Sequence, residues 1–102
     1  MCGRYALGKG AREIAAEFAA LDATGGAAAG VDFNIAPTKP VLSVLSEGEQ
    51  EAQRQVRVMR WGLVPHWASD PKIGSRMINA KAETVTEKPA FRSAIKRTRC
   101  LL

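Results

Sequence analysis

The sequence predicts an α+β fold on three observations. One amphipathic helical stretch lies near the start, two apolar-alternating segments flank a turn-like interval, and prolines punctuate the rest. Ala11 to Leu21 reads as the helix: Ile14, Phe18 and Leu21 recur at i, i+4 and i+7. Glu13 falls in its first turn, where a negative charge suits the helix dipole. From Asp22 to Gly30 the chain runs Asp-Ala-Thr-Gly-Gly-Ala-Ala-Ala-Gly, which breaks the periodicity and predicts a loop. Val41 to Leu45 with its β-branched valines, turn-like Ser46 to Gln50, and Arg54 to Trp61 alternating around Val56 and Val58 together predict a β-hairpin. Pro65 and Pro71 bracket an irregular loop that carries His66 and Trp67. Met77 to Ala82 fits a short strand, and Pro89 to Lys96 a short helix with proline in its first turn.

Composition excludes several classes. At 102 residues, 46% hydrophobic and 25% charged, the chain is suited to a single globular domain with a modest core. No apolar run approaches the roughly 18–20 residues of a membrane helix, so no membrane partner is expected. Met-Cys-Gly-Arg-Tyr lacks the apolar stretch of a secretory signal, and a reducing cytoplasm is the expected compartment. Cys2 and Cys100 are too few for a disulfide framework, and with His66 as the single histidine no tetrahedral metal set is expected. No cofactor is implied.

Charge is unevenly placed. Residues 1–50 hold four bases and six acids, whereas residues 51–102 hold eleven bases and four acids. From Lys88 to Arg99 there are five bases and no acid. Such a half suits a polyanion such as nucleic acid, although a solvated basic face would read the same way. At the other end, Arg99-Cys-Leu-Leu102 looks like the opening of a buried strand. Its abrupt stop predicts a chain whose remaining strands are absent. The resulting edge is expected to promote self-association.

Cys2 is the sharpest chemical feature. Initiator methionine is commonly removed before a small residue, which would leave an α-amine beside a thiol. Both are partly in nucleophilic form near neutral pH, and a positive neighbour such as Arg4 favours thiolate. A 1,2-aminothiol of this kind can close a thiazolidine ring on an aldehyde. Alternatively, it can act as a nucleophile with its own amine as base. From the residue types alone, a small side chain near a ragged terminus is the stronger reading.

Five short motifs then occur in order: Met1-Cys-Gly-Arg-Tyr5, Asn34-Ile-Ala-Pro-Thr38, Arg60-Trp-Gly-Leu-Val-Pro-His-Trp67, Ile78-Asn-Ala-Lys-Ala-Glu-Thr84, and Phe91-Arg-Ser-Ala with Arg99-Cys-Leu-Leu102. This pattern resembles the SRAP family, the SOS-response-associated peptidase proteins that shield abasic sites in single-stranded DNA. The resemblance spans all 102 residues as the N-terminal portion of one SRAP domain. It implies an antiparallel, barrel-like sheet with peripheral helices. It also implies covalent capture of the ring-opened abasic sugar by the exposed cysteine, in DNA repair. In a bacterium, that role would associate the protein with the nucleoid. By resemblance, Cys2 is the nucleophile and Asn79 helps hold the sugar, while Arg4 and Lys81 lie near the DNA backbone. Many members carry arginine at the Lys81 position, so a point charge here replaces a bidentate fork. Trp67 falls in the loop resembling the family's DNA-facing wedge. The family's acid/base glutamate and its histidine lie beyond Leu102, so this chain is expected to be impaired alone.

The residues themselves are compatible with these roles. The Asn79 amide can both donate and accept toward a sugar oxygen, yet an ordinary turn asparagine looks the same. Asn34 is carried as a DNA-binding position, with fixing of the local loop the stronger reading of its surroundings. Trp67 could stack a base, a contact worth roughly 1–3 kcal/mol, whereas Trp61 beside Gly62 is expected in the core. His66 reads as a bystander, Glu83 as a carboxylate that stabilises the fold, and Cys100 as a small buried hydrophobe. Two rivals to abasic-site capture stand: a thiol or autoproteolytic peptidase using Cys2, and a basic single-strand-binding module without chemistry.

Overall fold

A computed structural model describes residues 2–26, 30–47 and 53–102. Met1, residues 27–29 of the expected loop and residues 48–50 of the expected turn lie outside the described residues. The fold is α+β, as the sequence predicts, and the described strands form two open sheets without closing a barrel.

The centre is the hairpin β4 (Pro40–Glu47) with β5 (Gln53–Arg60), paired antiparallel over eight positions from Pro40↔Arg60 to Glu47↔Gln53. Four consecutive residues of β4, Val41 to Val44, are buried. A strand exposes alternate residues to opposite faces, so both faces of β4 must be covered. On one side, Leu42 and Val44 join Val56 and Ile14 of helix α1 (Ala11–Glu17). On the other side, Val41 packs with Ile35 and Trp61, against Tyr5, Leu7 and Ile78. The strand thus splits a small core into two clusters.

Helix α1 is shorter than its periodicity predicts. Its residues are almost all good helix formers, but Ala19 adopts φ 50°, and the chain leaves the helix there. The amides of Ala19 and Ala20 bond back to the carbonyls of Ala16 and Ala15, the pattern of a helix end that usually carries glycine at the left-handed position. With alanine there, the sequence gives no stop signal. The chain continues into β2 (Leu21–Asp22), which lies parallel to β5 at Gln55 and Val56. Separately, β1 (Tyr5–Leu7) pairs antiparallel with β3 (Asp32–Ile35).

Beyond β5, the structure departs further from expectation. Met77 to Ala82 forms no strand: Leu63 N–H donates to the Met77 carbonyl, but among the described residues no strand lies alongside to continue a ladder. Pro71–Arg76 is a 3-10 turn opened by Asp70, whose side chain accepts the Lys72 amide at 2.9 Å. The expected Pro89–Lys96 helix is displaced: the chain makes isolated turns through Phe91 and becomes regular only in α2 (Ala94–Arg97). The last strand, β6 (Cys100–Leu101), pairs with β4 at Leu45 and Val44, giving the order β2-β5-β4-β6. Cys100 is exposed, not buried as expected, because β6 is an outer strand with one neighbour. Loss of water around its sulfur still pushes the thiol pKa up, which favours the neutral form. No described helix is long and apolar enough to cross a membrane.

Candidate functional site

The N-terminal arm is held from two sides. Tyr5 pairs with Ile35 across β1–β3, and its ring meets Trp61 edge to face, with centroids 5.2 Å apart. Trp61 is buried, as expected, and its backbone extends the β4–β5 pairing. Its N–H donates to the Lys39 carbonyl at 3.1 Å, and its carbonyl accepts the Thr38 amide at 2.8 Å. Burial, with the Asp32 charge adding to it, raises the Tyr5 pKa and keeps the phenol neutral.

Directly after Trp61 the chain turns at Gly62, with φ 127°, a backbone region that side chains disfavour. The turn lies against the backbone of Gly74, at so close an approach that Gly62 has no room for a Cβ and one at Gly74 would be tight against the Gly62 carbonyl and Val64. Together with the Leu63–Met77 hydrogen bond and Ile78 packing on the Trp61 cluster, this contact brings the segment after Arg76 up to the N-terminal arm. Asn79 Nδ2 donates to the Cys2 carbonyl oxygen at 3.3 Å. Two candidates 77 positions apart therefore meet. Cys2 is exposed with a free thiol.

Arg4 and Asn34 form a second pair: Arg4 Nη1 donates to Asn34 Oδ1 at 3.0 Å. Asp32 Oδ1 accepts the Asn34 amide at 2.9 Å, and Lys39 Nζ lies 3.2 Å from Asp32 Oδ2. The Asn34 amide foremost, then Lys39, hold the Asp32 carboxyl below its ordinary pKa. Lys81 is exposed and lines a cavity of about 370 Å³ with Asn79, Arg76, Lys88 and Phe91. Arg76 carried no sequence signal for this position, whereas Phe91 opened the fifth motif and Lys88 the acid-free basic run.

Five motifs in order, a cysteine arm joined to the motif asparagine, and bases on both flanks agree with one family model, SOS response associated peptidase (SRAP), matched over residues 1–102. The chain belongs to the SRAP family. Relatives include the abasic site processing protein YoaM of Bacillus subtilis, 38% identical over the whole chain and 44% of that protein. Another is the abasic site processing protein HMCES of Xenopus tropicalis, 33% identical over 69% of this chain and 24% of its own length. A crystal structure of a protein from Bacteroides thetaiotaomicron superposes with a TM-score of 0.78 at 22% identity, over 97% of this chain and 44% of that one. The chain thus spans a little under half the length of YoaM.

Other SRAP motif residues are placed differently. Trp67 is 54% exposed and packs edge to face with His66, with centroids 4.9 Å apart; neither bonds to Cys2 or Asn79. Glu83 is exposed and makes no hydrogen bond or ion pair among the described residues, so it does not stabilise the fold as expected. The segment it sits on forms turns and presents the carboxylate to water instead of to a strand neighbour. Among the described residues, no three acidic, histidine or cysteine side chains cluster to hold a metal ion.

Proposed function

We propose that this SRAP chain captures abasic sites in single-stranded DNA through Cys2, and so acts in the response to DNA damage. The observation that carries the reading is the Asn79–Cys2 hydrogen bond, which sets an amide donor beside the only candidate aminothiol. The names of YoaM and HMCES as abasic site processing proteins support the abasic site as the target.

Once Met1 is removed, the Cys2 amine adds to the aldehyde carbon of the ring-opened sugar. Loss of water leaves an imine. The thiolate then adds to the imine carbon and the nitrogen takes up a proton, closing a thiazolidine. One C–N and one C–S bond form, one water leaves, and nothing is oxidised or reduced. In this reading Asn79 fixes the arm and its amide faces the sugar, Arg4 and Lys81 meet phosphates, and Trp67 offers a surface for a neighbouring base.

Incubating the protein with an abasic oligonucleotide and running a denaturing gel tests it. Cys2→Ala and Cys2→Ser should give no heat-stable adduct, since a hydroxyl is far less nucleophilic than a thiolate at neutral pH. Asn79→Ala should slow adduct formation by about 10-fold or more through lost positioning. A persisting adduct with Cys2→Ala sinks the mechanism, and peptide turnover without any adduct would favour the peptidase rival.

A further inference from the structure

The β1–β3 pairing contains an irregularity with a chemical use. Tyr5 faces Ile35 and Leu7 faces Asp32, so Phe33 and Asn34 together stand opposite Ala6 alone. This is a β-bulge, and bulges re-aim side chains. Asn34 emerges exposed and reaches Arg4, the residue before β1. Its own backbone is pinned at both ends of the peptide unit. The amide donates to Asp32 Oδ1 at 2.9 Å, and the carbonyl accepts from Lys39 Nζ at 3.4 Å. Lys39 closes the loop by pairing with Asp32.

We infer that Asn34 is a positioning residue for Arg4, and that the bulge, Asp32 and Lys39 preset the Arg4 guanidinium as a fork for a backbone phosphate two residues from Cys2. The inference rests on the single-strand reading of the site and assigns roles that the motif resemblance does not. Asn34 occupies one N–H of Nη1. The edge formed by Nε and Nη2 keeps its donors for a bidentate phosphate contact. A long, exposed arginine otherwise loses rotamer freedom when it binds; the Asn34 bond removes part of that cost beforehand. Asn34 itself has its Oδ1 turned to Arg4, so its carbonyl oxygen is committed to the protein and not to the strand.

A double-mutant cycle on non-covalent affinity for an intact 20-mer of single-stranded DNA, read by fluorescence anisotropy, tests this. One phosphate contact contributes about 0.7 to the salt slope, or about 5-fold in affinity at 0.1 M salt relative to 1 M. Arg4→Ala should therefore weaken binding about 5-fold. Asn34→Ala and Asp32→Ala should each weaken it about 3-fold with Arg4 present, and have no further effect in the Arg4→Ala background. A purely structural role would give the same loss in both backgrounds and overturn the inference. So would unchanged affinity in Arg4→Ala. Adduct yield on abasic DNA is measured separately: if no variant or wild type forms adduct while the cycle still shows coupling, capture fails and the positioning role stands.

Discussion

Among the described glycines, Gly62→Ala should be the most damaging substitution, and the structure says why. Two terms add. At φ 127° an alanine is strained, which costs about 1–3 kcal/mol. The new Cβ would also stand 2.8 Å from the carbonyl carbon of Gly74 and closer still to its oxygen. Both atoms are backbone, so no rotamer change relieves the clash, and overpacking of this kind costs a further 1–3 kcal/mol or so. The sum, about 4 kcal/mol, is a large share of the roughly 5–15 kcal/mol that stabilises a domain of this size. It corresponds to a fall in Tm of about 20 °C. Two glycines separate the terms. Gly25 has φ 64° with open space around its Cβ position, so Gly25→Ala should cost only about 1 kcal/mol. Gly30 has open space and no positive φ, so Gly30→Ala should be neutral or slightly stabilising. Urea unfolding followed by tryptophan fluorescence reads the ladder, because Trp61 is buried while Trp67 is already largely in water. If Gly62→Ala is no worse than Gly25→Ala, the close approach of the two turns is wrong. The route by which Asn79 reaches Cys2 would be wrong with it.

Four shorter predictions follow from other sites. Ala19→Gly should raise stability by up to about 1 kcal/mol, seen as a higher Tm, because Ala19 holds a left-handed conformation that glycine adopts freely. Ser43→Ala should be neutral or stabilising by about 1 kcal/mol, since the hydroxyl is buried without a hydrogen-bond partner among the described residues; a marked loss in urea unfolding would mean it has one. Asp32 has a folded pKa below its ordinary value, so its stabilisation is fully present above the ordinary aspartate pKa and is lost as pH falls through the lowered one. Asp32→Asn should flatten that acid limb of a stability-versus-pH curve. Lys81→Ala should lower the salt slope of single-strand binding by about 0.7, and Lys81→Arg should tighten binding by offering a bidentate fork; a slope indifferent to both would remove Lys81 from the strand.

Local pattern in the sequence determined what depends on neighbours along the chain. The β4–β5 hairpin was legible because alternation around Val56 and Val58 reports two faces directly, and the start of α1 because Ile14 and Phe18 sit one turn apart. The motif order made the family, and with it Cys2 and Asn79, readable as candidates. Elements whose state depends on distant partners were not legible. Met77 to Ala82 has strand-like residues but no strand beside it among the described residues, Ala19 ends a helix without the usual glycine, and Cys100 lies on an outer strand that one neighbour cannot bury. The site itself belongs to this second group. The hydrogen bond between Asn79 and Cys2 joins segments that the Gly62–Gly74 contact brings together, and the hold on Arg4 comes from Asn34 at a bulge set by strand pairing. Backbone close approach and register are properties of two segments at once, so only the tertiary structure could decide them.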